Sequence, residues 1–178
     1  MKRRVRQPTA TPTVDVIIQS PRWNRHPRAA TVARRAIAAA APRAAHHCEL
    51  AVVLTDDKAI QGLNRRWRGK NAPTNVLSFP TVDSGLSRTP VLGTLALGTP
   101  ILGDIVIAYE TTAAESQAEG KPFDHHLFHL VVHGFLHLLG YDHESDVEAE
   151  EMEHLERKIL ARLDVPDPYA ARDAGTDA

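Results

Sequence analysis

The stretch FDHHLFHLVVHGFLHLLGYDH, Phe123 to His143, is apolar on most helical faces through Phe123, Leu127, Leu130, Val131, Phe135, Leu138 and Leu139. A segment that is hydrophobic nearly all round has little face to offer water, so it predicts a largely buried helix. It also carries six of the chain's ten histidines. His133 and His137 stand at i and i+4, which on a helix is one face, about 6 Å apart along the axis. Gly140 falls where the helix should end, because glycine readily takes the left-handed conformation of a C-terminal cap. The chain can then fold back and bring His143 towards the pair.

Burial disfavours the imidazolium form and leaves neutral rings whose nitrogens bind a cation. Three imidazoles with water in the open position is the ligand count of a catalytic rather than a structural Zn²⁺ site. A lone core histidine more often satisfies a hydrogen bond. The HxxxH spacing, a glycine and a third histidine six residues on reverse that preference, so His133, His137 and His143 are read as metal ligands. The same set also accommodates Ni²⁺, Co²⁺ or Cu²⁺. Proton competition should weaken binding below about pH 6. His129, one turn before His133, is expected to line the cleft or support a ligand from behind. Asp142 is expected to orient a ligand or to stabilise the turn after Gly140. His125 and His126 are read as solvated and His154 as part of an acidic helix face.

Around this helix the 178 residues read as one domain, long enough for a core without staples. Apolar content of 43% and charged content of 24% are ordinary for a soluble globular protein. No apolar run approaches the ~18 residues that span a bilayer, and the arginine-rich start lacks the apolar core of a signal peptide, so the expected location is the cytoplasm. Cys48 is the only cysteine, which excludes an internal disulfide and suggests a buried structural thiol. The net charge of −1 hides an asymmetry: residues 1–28 hold seven Lys/Arg against one Asp, and residues 142–178 hold twelve Asp/Glu against four Lys/Arg. A polyanionic partner therefore remains compatible with the chain, because a local basic surface decides the matter.

VDVIIQS (14–20) alternates as a strand, and the alanine-rich run from Arg28 reads as a helix ended by Pro42. CELAVVLT (48–55) reads as a buried strand, followed by a helix capped by Asp56 or Asp57 and stopped by Gly69. TNVLSFP (74–80) and GDIVIAY (103–109) are further strands, separated by a surface loop at 83–100. Helices then follow over 110–119, 122–139 and 146–163. Strands early and helices late predict an α+β domain, a small mixed sheet packed against helices, over residues 14–165. Residues 1–13 are expected to be a disordered basic extension and residues 166–178 a disordered tail.

RRWRGK (65–70) puts four positive charges and a tryptophan at a predicted helix end. In one reading the cations complement the helix dipole and Trp67 packs into the core. In the other, Arg65, Arg66, Arg68 and Lys70 bind phosphate.

The histidine pattern resembles the HExxHxxGxxH motif of metzincin-type zinc peptidases with one departure. Gly134 follows the first histidine, where those enzymes carry a glutamate base. WRGKNAPTNVLSFP, GDIVIAYE and HGFLHLLGYDH, in this order, resemble the YbeY family of bacterial endoribonucleases and rRNA maturation factors, over roughly residues 14–165. Asn71 departs from the aspartate of many members. The resemblance implies a zincin-like architecture, zinc on the three histidines and Arg68 as the catalytic basic residue facing the metal. It further implies a single-strand-specific endoribonuclease that matures the 3′ end of 16S rRNA and serves ribosome quality control. The partners implied are the rRNA precursor, the small ribosomal subunit and assembly factors, with no membrane and no DNA. The physical case is separate: phosphodiester cleavage builds charge on non-bridging oxygens, which a divalent ion and an arginine stabilise. The competing readings are a zinc peptidase and a ribosome-assembly factor that binds RNA around a structural metal. No side chain stands out as a general base.

Overall fold

Leu50, Val52 and Leu54 are all buried on one face of Glu49–Thr55, the period-2 pattern of a strand packed on one side. In the computed structural model, which describes residues 11–81 and 99–170, this strand (β2) lies inside a four-stranded sheet of order β1-β2-β4-β3. β1 (Thr13–Ile18) and β4 (Ile101–Ala108) run parallel to β2, while β3 (Val76–Pro80) lies antiparallel to β4 at the edge. The expected α+β domain with a small mixed sheet is therefore present. Expectations for residues 1–10, 82–98 and 171–178 lie outside the described residues.

Helices cover both faces of the sheet, and β4 sorts its side chains between them. Ile105 and Ile107 join the main core, which also takes in Val32 and Ile37 of α1 (Ala29–Ala40), Leu127 and Phe135 of α4 (Phe123–Leu138), and Met152 and Leu160 of α5 (Asp146–Ala161). Val106 and Ala108 point the other way, onto Ile60 of α2 (Asp57–Arg68). A short helix α3 (Tyr109–Ala118) follows β4 directly and packs beside α4 and α2. Cys48 is buried in the main core, and desolvation raises its thiol pKa, which makes it inert.

Local signals end the elements where expected. Asp56 caps α2 by accepting from the Ala59 amide at 3.0 Å, and Gly69 closes that helix at φ 70°. Gly140 takes φ 86° after α4. Ser145 and Glu148 form a reciprocal capping box on α5. The tail is the exception. Residues 165–170 are ordered against α5, with Tyr169 only 9% exposed and the Arg157 guanidinium 5.0 Å from its ring centroid. Composition favoured disorder there, but one aromatic with a buried hydrogen-bond partner outweighs the surrounding Pro, Asp and Ala.

Gly134 brings α4 against the sheet. A Cβ at this position would stand 2.8 Å from Ile105 Cγ2 and 3.0 Å from Ser78 Oγ, and Ser78 Oγ already donates to the Gly134 carbonyl at 3.1 Å. Ile105 is β-branched and fully buried, so it has little room to yield. Gly134→Ala should therefore destabilise the fold by about 1–3 kcal/mol through overpacking. In thermal unfolding this is a drop of several degrees for a domain of this size; an unchanged midpoint would show that the helix can move off the sheet freely.

Candidate metal centre

His133 and His137 sit one turn apart on α4, and the left-handed Gly140 returns the chain so that His143 meets them. One ring nitrogen from each lies within 4.8 Å of the others. His133 and His137 are half-buried and His143 is exposed. The three sequence-predicted ligands thus converge at the mouth of a cleft.

The back of each helical imidazole is fixed. His137 Nδ1 lies 2.9 Å from the Tyr141 carbonyl oxygen, which can only accept, so Nδ1 carries the proton. His133 Nδ1 lies 2.8 Å from Glu156 Oε1 and donates to that carboxylate. Both Nε2 atoms then present lone pairs, and they stand 3.1 Å apart. Neither can donate to the other. Burial first and the neighbouring His133 and His143 second push the His137 pKa down to about 4, so the His137 Nε2 stays an open lone pair at neutral pH. Two opposed lone pairs with a third imidazole beside them are the chemistry of a metal site, so the donor set fits a metal ion.

Glu156 is the residue that sequence reasoning missed. It lies fully buried on α5 among Met152, Ile159 and Leu160. Its carboxylate accepts from His133 at Oε1, and from His129 Nε2 at 3.1 Å and the Tyr169 hydroxyl at Oε2. Burial alone would raise its pKa, but the hydrogen bonds and the electrostatic attraction of His129 and His133 together outweigh burial and lower it to about 2. The available signal was its spacing: position 156 lies midway along the i, i+4 stripe from Met152 to Leu160, where a carboxylate is costly unless paired.

His129 is turned towards Glu156 and Tyr169 rather than towards the ligand trio, which places it behind His133. Asp142 is exposed, and its Oδ1 accepts from the His143 amide at 2.8 Å, so it shapes the turn that carries that candidate ligand. His126, expected in solvent, is 5% exposed and pairs with Glu115 Oε2 at 2.8 Å. It sits on the α4 face that packs against α3, and Glu115 of α3 also accepts from Asn75 Nδ2 at 2.9 Å. His125 is half-buried and His154 exposed.

Across from the histidines, Arg68 at the end of α2 reaches the same cleft of about 390 Å³, together with Val76 and Ser78 of β3. Arg65, Arg66 and Lys70 are exposed and do not line it. Trp67 is 63% exposed, which overturns the reading that packed it into the core. The position after His133 is closed: a Cβ on Gly134 would point at Ile105 and Ser78 in the sheet, so a glutamate there would meet packed side chains. No helix among the described residues is long and apolar enough to cross a membrane.

The chain is similar to known proteins over most of its length. The family model described as endoribonuclease YbeY matches residues 19–164. An endoribonuclease YbeY of Bradyrhizobium sp. (strain BTAi1) is 54% identical over 91% of this chain and 95% of its own. One of Rhodopseudomonas palustris (strain BisB18) is 53% identical over the same shares. Among solved structures, a solution structure of a Thermotoga maritima protein matches with a TM-score of 0.51 at 20% identity, covering 92% of this chain and 94% of that one. This last likeness concerns the fold alone.

His133→Ala, His137→Ala and His143→Ala should each lose most bound metal in elemental analysis, whereas His129→Ala should keep most of it. Glu156→Gln, which keeps the shape and removes the charge behind His133, should bind metal about 10–100-fold more weakly. Full occupancy in all three ligand variants would remove the site. Acid should weaken the metal-free fold in two windows. The folded pKa of His137 is about 4 against an ordinary 6.5, so the unfolded chain binds the proton first and stability falls as pH drops from 6.5 towards 4. Glu156, lowered from 4.5 to about 2, loses its contribution as pH falls from 4.5 towards 2. Denaturant titrations over that pH range read both; stability flat between pH 6.5 and 4 would contradict the first.

Proposed function

The chain belongs to the YbeY family of endoribonucleases, and on that premise we propose that its cleft is the active site of a metal-dependent, single-strand-specific endoribonuclease that matures the 3′ end of 16S rRNA. The protein is a hydrolase acting on RNA, with a zincin-like α+β fold and a role in rRNA processing. The observation that carries the assignment of the site is the convergence of Arg68 and the three histidines on one cleft.

His133, His137 and His143 hold the metal; zinc suits three imidazoles with one open position, and Ni²⁺, Co²⁺ or Cu²⁺ fit the same set. When bound, the ion would polarise a phosphate oxygen or activate a water. Arg68 binds the non-bridging oxygens through its planar fork and stabilises the charge that grows on them as the bond breaks. Glu156 and the Tyr141 carbonyl keep the imidazole lone pairs aimed into the cleft. Arg65, Arg66 and Lys70 gather the strand by charge. Asp142 holds the His143 turn. Peptide hydrolysis is disfavoured by the packing at Gly134, which leaves no place for the glutamate base of the peptidases. Action on an rRNA precursor places the enzyme in the cytoplasm, with the small ribosomal subunit and assembly factors as partners and ribosome quality control as a second setting.

Purified protein offered single-stranded RNA, duplex RNA and an unstructured peptide should cut the first fastest, the second slowly and the third not at all. A flexible strand bends its phosphate towards both the metal and Arg68 more easily than an A-form helix, whose backbone geometry is fixed. Chelation or His133→Ala should abolish cutting. Arg68→Ala should keep metal and melting temperature while losing most cleavage, and Arg68→Lys should recover little. Peptide cleavage lost on chelation would favour a zinc peptidase; tight RNA binding without metal-dependent cutting would favour a non-catalytic assembly factor.

A further inference from the structure

Phosphate chemistry leaves Trp67 unused. Its indole is 63% exposed, the largest side chain so placed among the described residues, although aromatic surface is among the most costly to leave in water. Packing holds it in place all the same. The ring meets Phe79 of β3 edge-on, centroids 6.0 Å apart, and the Arg66 guanidinium lies 5.4 Å from its centre.

The strand geometry says where this ring stands relative to the cleft. Along β3, Val76 and Ser78 face α4, whereas Leu77 and Phe79 face α2. β3 is the edge of the sheet. The histidines and Arg68 therefore open on one side of this edge, and Trp67, one residue from Arg68, rests against the side chain of the other. A strand held at Arg68 that continues over the edge of β3 meets Trp67 next, flanked by the exposed Arg65, Arg66 and Lys70.

We propose that Trp67 is a stacking platform for an unpaired nucleobase of single-stranded RNA, beside the phosphate bound by Arg68. The proposal rests on the nuclease reading of the cleft and adds a base-binding subsite to it. An exposed indole face between cations suits this ligand, because every base offers a π-face and stacking tolerates any sequence. The surface contact of Arg66 with the ring is weaker than base stacking, so an incoming base displaces the guanidinium and frees it for a phosphate. In a duplex the base faces are covered by their neighbours, which gives the platform its own selectivity for single strands.

Tryptophan emission tests this directly. The second tryptophan, Trp23, is 1% exposed with its Nε1 bonded to the Thr55 carbonyl, so quenching by a ligand reports Trp67. The full-length His133→Ala protein, which should bind without cutting, is titrated with an oligouridylate and with an abasic strand of the same length. Oligouridylate should quench the emission and the abasic strand should not. Adding Trp67→Ala should weaken oligouridylate binding on the order of ten-fold, with Trp67→Phe recovering most of it. The dependence of affinity on salt should be unchanged by Trp67→Ala, whereas Arg66→Ala should lower its slope by about 0.7. Equal quenching by both strands, or unweakened binding by Trp67→Ala, would overturn the platform and leave metal-dependent cutting by the wild-type protein untouched. Absence of any RNA binding by the wild-type protein, together with absence of cutting, would overturn platform and nuclease reading together.

Discussion

Helix α4 is enclosed by the sheet on one side and by α1, α3 and α5 on the others, and that enclosure is the constraint from which the site follows. A buried polar atom without a partner costs about 1–3 kcal/mol, so a helix carrying histidines into a core obliges its neighbours to supply acceptors. They do so one by one. Glu115 of α3 takes His126, Glu156 of α5 takes His129 and His133, and the Tyr141 carbonyl takes His137. The partners are therefore both the condition for folding this helix and the means by which two imidazoles are turned with their free nitrogens outward.

The buried carboxylate shows how packing and chemistry are joined. Glu156 alone in an apolar layer would be strongly destabilising, yet three donors surround it. One of the three, Tyr169, arrives from the segment beyond α5. Tyr169 is thus part of the support for a site two of whose candidate ligands lie on α4, and the charge of Glu156 sits behind a ring that a cation would face from the front.

Much of the fold was legible because its signals are local. An Asp cap, a glycine stop and a turn glycine each act within a few residues, and Asp56, Gly69 and Gly140 stand where the sequence implied. The HxxxH spacing carries its own geometry, since i and i+4 share a face, and the returning His143 needed only the turn. What escaped depends on distant pairs. Glu156 meets His133 across 23 positions and His126 meets Glu115 across 11, and no local pattern says that these elements are neighbours. Trp67 escaped for a different reason: its exposure follows from where α2 ends relative to the sheet edge, which helix periodicity does not encode. Tyr169 was hidden by the composition of the residues around it.

Gly134 connects the fold to the kind of reaction it supports. In the peptidase motif the residue after the first histidine carries the base, which requires a side chain directed into the cleft. Here α4 approaches the sheet so closely at this residue that a Cβ would press into Ile105, and Ser78 grips the carbonyl beneath. The close approach also draws β3, with Val76 and Ser78, up to the histidines and forms the cleft wall opposite them. Beyond that wall lies the C-terminal end of α2, and Arg68 enters from there. The contact that removes the base position thus builds the side of the cleft from which a permanent positive charge arrives, an arrangement suited to a phosphate rather than to a peptide carbonyl.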